Sequence, residues 1–236
     1  MPVVSEIPLE ISLAELRRLR TLHSADGLHP RIRALLPEVL AKVEELELLR
    51  PAIVWESRRL LEVSGSRVRL AGGSELAQAE AVVGLLGGAD ELAMAVGSIG
   101  PALDRTTGDW FEDGREVEAF VLGEIGNLAI GKLGDRIPQS VGEWAASRGL
   151  ETSGALSPGG TGIDLSDQRI VVEVACAERI GVELSSACML VPVKSVSMVI
   201  GLGHGLPTWT HAQACELCAS RDTCRLRRFD SEPAIA

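Results

Sequence analysis

DQRIVVEVACAERIGVELSSACMLVPVKSVSMVIG, residues 167–201, decides the fold class. Its first part has apolar residues at three- and four-residue spacing, and Asp164 and Ser166 just upstream are N-cap residues. This predicts a helix over LSDQRIVVEVACAERIG, residues 165–181. Two apolar runs follow, 181–192 and 194–203, rich in Val, Ile and Leu and separated at Pro192, and they read as strands. A helix feeding two consecutive strands is not a βαβ crossover.

Upstream the same alternation of blocks recurs. AIVWES (52–57), SRVRL (66–70) and ELAMAVG (91–97) read as strands. Ser74 is positioned to cap a helix over 75–86. A long helical stretch covers about 112–134, and a further helix starts at Pro138 and runs to about Arg148. Its glycines 123, 126, 131 and 134 each cost about 1 kcal/mol against alanine, and glycines kept at that cost mark close packing. Residues 152–168, TSGALSPGGTGIDLSDQ, are the most loop-like stretch. The first 50 residues read as helical: Ser12 and Glu15 form a capping box, and residues 29–49 carry a second helix containing Pro30 and Pro37. The order predicts an α+β fold with a twisted antiparallel or mixed sheet flanked by helices. It divides into a helical subregion (1–50), an α+β core (51–210) and a cysteine-rich tail (211–236).

Composition narrows the function classes. The chain has 236 residues and a net charge of −10, which argues against nucleic acid. Its 3% aromatic content, with no tyrosine, provides no base-stacking platform. No basic leader and no spanning apolar run is visible, so a cytoplasmic protein without membrane contact is expected. Five cysteines in such a protein point to metal, cluster or redox chemistry before disulfides.

Cys215, Cys218 and Cys224 have C-x2-C-x5-C spacing. Two thiolates three positions apart can chelate one ion and the third can close the site, as zinc or an iron–sulfur cluster requires; three reduced surface thiols are the plain alternative. His204, His211, Cys176 and Cys188 are candidates for a fourth ligand, although Cys176 and Cys188 read more simply as buried apolar thiols. Ser195 and Ser197 fall on one strand face, with Lys194 on the other. The SPGGTG run, residues 157–162, permits close backbone approach but lacks the Lys-Ser/Thr ending of a Walker A loop. The GLGHG run, residues 201–205, reads as a turn. No nucleophile–base motif is present.

Taken in order, GALSPGG (154–160), IGVEL (180–184), Pro192, the SVS at 195–197 and the cysteine tail resemble the activation domain of vitamin B12-dependent methionine synthase, in particular its stand-alone relatives. AVGSIGPALD, residues 95–104, fits the same pattern, and the resemblance covers roughly residues 50–228. It implies an accessory protein that docks on a corrinoid-dependent methyltransferase or corrinoid protein and assists its reductive reactivation, with an electron donor and with cobalamin held by the partner. It also implies S-adenosylmethionine as ligand. By the resemblance, Glu118 in Glu118-Ala119-Phe120 is the ligand-binding helix glutamate, and Ser157, Pro158 and Gly159 form the ligand loop. The strand of Lys194, Ser195 and Ser197 approaches the cofactor region. The family's loop arginine and tyrosine positions hold Ala155 and Gly160 here. The alternative reading is an iron–sulfur or zinc-binding electron-transfer or interaction protein on the same scaffold.

Overall fold

The computed structural model describes residues 3–5, 7–19, 22–24, 27–77, 79, 82–86, 88–160, 163–217 and 221–222. The elements in chain order are β1 (Val3–Ser5), α1 (Leu13–Leu16), β2 (His23–Ser24), β3 (Gly27–Leu28), α2 (Pro30–Glu45), β4 (Ala52–Ser64), β5 (Arg67–Leu70) and β6 (Glu75–Leu76). Then come β7 (Glu91–Ser98), α3 (Ala102–Glu112), α4 (Glu116–Ala146), β8 (Glu151–Leu156) and α5 (Gln168–Ala175). The chain continues through β9 (Glu183–Leu184), β10 (Leu190–Val191), β11 (Ser195–Gly203) and α6 (His211–Leu217). The main sheet has the order β6-β5-β4-β7-β11-β8, with β1 also paired to β4. Every strand pair among the described residues is antiparallel. The fold is thus α+β with an antiparallel sheet flanked by helices, as the sequence predicts.

The sheet separates two apolar layers. On one face, Ala93, Ala95, Met198, Ile200 and Leu202 pack with α2, α3 and α4. On the other, Leu92, Met94, Val96 and Val199 pack with α5 and the segment Val82–Leu86. The alternation along β7 and β11 sends successive side chains to opposite layers, which is why residues 92–96 of β7 and 198–200 of β11 are apolar without a break. No helix among the described residues is long and apolar enough to cross a membrane.

Several local expectations are corrected. Pro138 does not start a helix; α4 runs through it as one 31-residue element. Ile137, Val141 and Ala145 are fully buried around it, and that packing outweighs the lost hydrogen bond. Residues 151–156 are strand β8, not loop: they pair with β11, and the Ser153 hydroxyl accepts the Gly201 N–H at 2.8 Å where the ladder shifts register. For the same reason residues 201–203 continue β11 rather than turn. The helix expected over 75–86 is replaced by β6, whose Leu76 is buried against Val68 of β5, and by a π-helical segment at Val82–Leu86. The strand expected over 181–192 is a short hairpin of β9 and β10. Helix 165–181 is divided, because Cys176 closes α5 in the left-handed region at φ 57°.

The lower end of the sheet is fixed by a polar clamp. Arg148 donates to both oxygens of Glu91, at 2.9 and 2.6 Å, and the Ser57 hydroxyl donates to the same carboxylate. Arg148 also stacks on Trp144 at 4.7 Å, and Trp144 meets Trp55 edge-on at 6.4 Å. Hydrogen bonds from Arg148 hold the Glu91 carboxyl below its ordinary range, against the opposing effect of burial. Glu15 is likewise lowered: burial raises it, but hydrogen bonds from Lys132 and Ser12 more than offset that. Both folded carboxyls thus titrate below the unfolded ones, so their stabilisation is complete above the unfolded value near 4.5 and is lost as pH falls through the folded values. Denaturant melts should show flat stability from about pH 6 to 8 and a decline below about pH 4.5. Glu91→Gln should cost about 1–2 kcal/mol at pH 7 and flatten that decline.

Candidate functional site

The upper end of the sheet is built differently. Among the described residues, only β7 pairs with the first four residues of β11; β8 begins its pairing at Val199. The Lys194 and Leu202 carbonyls accept the N–H groups of Ile99 and Asp90, so even-numbered residues of this strand face β7. Gly201 donates toward β8 instead. By the alternation of an antiparallel ladder, Ser195 and Ser197 turn their N–H and C=O groups to the β8 side. Among the described residues, no strand takes them up there.

Their side chains reach the α5 face. The Ser195 hydroxyl donates to Ser98 Oγ at 2.9 Å, and the Ser197 hydroxyl donates to Gln168 Oε1 at 2.9 Å. Gln168 Nε2 in turn donates to the Cys188 carbonyl. Lys194 lies across the sheet, against α4, as the alternation predicts. Its backbone N–H donates to Asp104 Oδ2 at 3.2 Å, and its Cε would come within 2.9 Å of a Cβ on Gly126. Leu103 Cδ2 would come within 2.7 Å of the same atom, so a side chain at 126 would have to push aside the ends of both residues where Lys194, α3 and α4 meet. The glycine-rich helix signal is therefore explained here, though not at Gly123, where a Cβ would meet nothing within 4 Å.

Ser157, Pro158 and Gly159 form a turn at the end of β8. Gly160 donates to the Ser157 carbonyl at 3.0 Å, and Gly159 donates to the Ile163 carbonyl at 2.9 Å. Gly159 has φ +75°, a conformation that favours glycine, and Pro158 is buried. Because β8 and β11 are antiparallel, the end of β8 points toward the start of β11, so the loop and Ser195 belong to the same end of the sheet. Ala155 is half-buried in β8 opposite Ile200.

Glu118 stands in the first turn of α4, half-buried, 3.8 Å from Arg115 Nε. Arg115 lies over the Trp110 ring at 4.1 Å. Glu118, Leu122 and Gly126 form one i, i+4 row, which places Glu118 about 12 Å along the helix from the contact with Lys194. The structure thus brings Lys194, Ser195 and Ser197 together and puts the loop at the same end, while Glu118 is engaged with Arg115 two turns away.

Trp209 carries no motif or spacing that marks it as a site residue. Residues 205–209 run beside β8 in the same direction: Gly205 donates to Glu151 Oε2, Gly154 donates to the Pro207 carbonyl, and Trp209 Nε1 donates to the Ala155 carbonyl at 3.0 Å. The indole covers Gly154 so closely that no Cβ fits there. This run carries α6, with the half-buried free thiol of Cys215, toward the loop end. Cys218 and Cys224 lie outside the described residues. Among the described residues, no group of three His, Cys, Asp or Glu side chains can hold a metal. Of the fourth-ligand candidates, Cys188 is buried and its sulfur accepts from Arg169 Nε at 3.1 Å; Cys176 is half-buried and His204 exposed.

No family model matches the chain, and no curated protein matches it. Among solved structures the chain is similar to the MetH reactivation domain, in a crystal structure bound to AdoHcy. The two are 13% identical, with a TM-score of 0.57 over 92% of this chain and 84% of that one. At that identity the likeness is one of fold: a mostly antiparallel sheet flanked by helices, as in that domain.

Two substitutions separate the roles of the helix glycines. Gly126→Ala should destabilise the protein by about 1–3 kcal/mol, because Leu103 and Lys194 must both move. Gly123→Ala should be neutral or stabilising by up to about 1 kcal/mol, since alanine gains helix propensity in open space. Thermal melts of both variants check the contrast.

Proposed function

We propose that the chain is an accessory protein for a corrinoid-dependent methyltransferase, acting in the cytoplasm, that assists reductive reactivation of the partner's cobalamin and binds S-adenosylmethionine at the upper end of the sheet. The observation that carries this reading is the fold likeness to the MetH reactivation domain in its AdoHcy-bound form, which extends over nearly the whole chain. Two local features support it. No strand among the described residues takes up the N–H and C=O groups of Ser195 and Ser197, which offer donors and acceptors to a heteroaromatic edge. The turn of Ser157, Pro158 and Gly159 has no bulky side chain at its tip, so a ligand can approach its backbone.

In this reading Glu118 accepts hydrogen bonds from the ligand's amino group. Its contact with Arg115 is long, at 3.8 Å, and about a fifth of its side chain is exposed, so exchanging that partner for a ligand ammonium costs little. The corrinoid protein docks over the same end, and an external electron donor supplies the reducing equivalent. A second reading assigns the tail a zinc ion or an iron–sulfur cluster on Cys215, Cys218 and Cys224. It draws on the cysteine spacing and on the course of residues 205–209, which directs α6 to the ligand end.

Calorimetry with S-adenosylmethionine and AdoHcy tests the ligand. Binding is expected in the micromolar to millimolar range, and Glu118→Ala should weaken it about tenfold. An absence of heat at millimolar ligand removes the ligand from the proposal, and an unchanged affinity in the variant removes Glu118 from the site. Metal analysis of anaerobically purified protein tests the tail. Iron with sulfide, or zinc, at one site per chain supports the second reading, and a colourless metal-free protein ends it.

A further inference from the structure

We infer that the outer face of α2 pairs antiparallel with α2 of a second copy of this chain. The inference is independent of the proposed ligand. The inner face of α2, with Leu36, Val39 and Val43, is buried in the core beside α4. The outer face is open. Pro30, Ala34, Pro37 and Ala41 recur on it at alternating spacings of four and three, and all four are exposed. That is the spacing of a seam between two helices, and no long side chain stands on it, so a second helix can come close.

The charges beside the seam identify that second helix. Arg31 and Arg33 stand in the first turn of α2, which holds no acidic residue. Glu44 and Glu45 stand in the last turn, and Glu47 lies just beyond it. Cations thus meet the positive end of the helix dipole and carboxylates the negative end, an arrangement that is unfavourable at both ends of a lone helix. Arg31, Arg33 and Glu44 are exposed and have no ion-pair partner among the described residues, and Glu47 has only the exposed Arg50 at 3.8 Å. Lys42 alone runs against the pattern, and it is bound to Glu45 at 2.6 Å. An antiparallel neighbour turns the unfavourable ends into favourable ones. The arginine end of each helix then lies beside the glutamate end of the other. Centred between Ala34 and Ala41, the pair sets Ala34 of each copy against Ala41 of the other. One face supplies both halves of the match, as a two-fold interface requires. A partner of a single charge sign would suit only one end of the helix.

The 16 residues of α2 span about 24 Å, so the contact is small and held largely by exposed charges. Sedimentation equilibrium of the full chain tests it. Wild type should dimerise with a Kd of about 10–100 µM at about 20 mM salt, and about tenfold more weakly at about 0.5 M salt. Arg31→Glu with Arg33→Glu should be monomeric, and so should Glu44→Arg with Glu45→Arg. An equal mixture of the two double variants should form a heterodimer, because each helix then carries one sign along its whole length. All four positions are exposed, so the fold is kept, and thermal melts verify this. If wild type stays monomeric at about 500 µM and low salt, the face serves some other partner and the inference is overturned. If either double variant dimerises as tightly as wild type, or the mixture of two folded variants stays monomeric, the charges of α2 do not make the interface and the inference is equally overturned.

Discussion

The close approach of α4 to the two central strands is the constraint on which the structure depends. A Cβ on Gly97 of β7 would come within 3.0 Å of Ile137 and 3.3 Å of Leu133. On the helix, Gly126 and Gly134 face Lys194 and Met198. Glycine thus appears on both sides of the seam, and the helix lies nearer the sheet than a full complement of side chains would allow. The consequence is a 31-residue helix with buried residues along almost its whole length, from Ala119 to Ala145. Each glycine costs helix propensity, and the buried Leu and Ile around it more than offset that loss.

The same contact shapes the site. With α4 drawn down onto β11, the Lys194 stem is held in a seam where a longer residue on the helix would displace it. Leu103 enters that seam from α3, so α3, α4 and the start of β11 converge on a single glycine. The upper end therefore combines a tightly held backbone with polar groups left uncommitted. At the lower end, by contrast, every charged group of the Glu91 and Arg148 cluster is paired.

Much of this was legible in the sequence where the pattern was strong. The strand at 66–70, and the alternation that sets Lys194 opposite Ser195 and Ser197, follow from period two, and the strands at 52–57 and 91–97 from short apolar runs. Proline and glycine misled where tertiary packing prevailed. Pro138 is a sound helix-start signal locally, but its neighbours are buried on one continuous face. The Ser-Gly-rich stretch around Gly154 resembles a loop because its short residues have little propensity of their own. Its strand character comes from pairing with β11 and from the Trp209 indole over Gly154, a contact 55 residues distant in sequence. The resemblance gave the Ser157 turn as a ligand loop and the Ser195 strand as approaching the cofactor region, but it could not show that Glu118 lies 3.8 Å from Arg115. That contact depends on how α3 turns into α4. The tail thiols illustrate the same limit: spacing groups them, and only Cys215 falls among the described residues.

One further consequence follows from the uneven pairing of β11. Its lower residues are paired on both sides and covered by both apolar layers, whereas Ser195 and Ser197 lie where, among the described residues, only β7 pairs with the strand. Amide protons along this one strand should therefore exchange with solvent on a gradient, slowest around Ile200 and fastest at the odd-numbered residues of its first half. A single strand is thus a rigid support at one end and an unsaturated edge at the other. Whatever settles on that edge would be read out as slowed exchange at two serines, without any rearrangement of the fold beneath them.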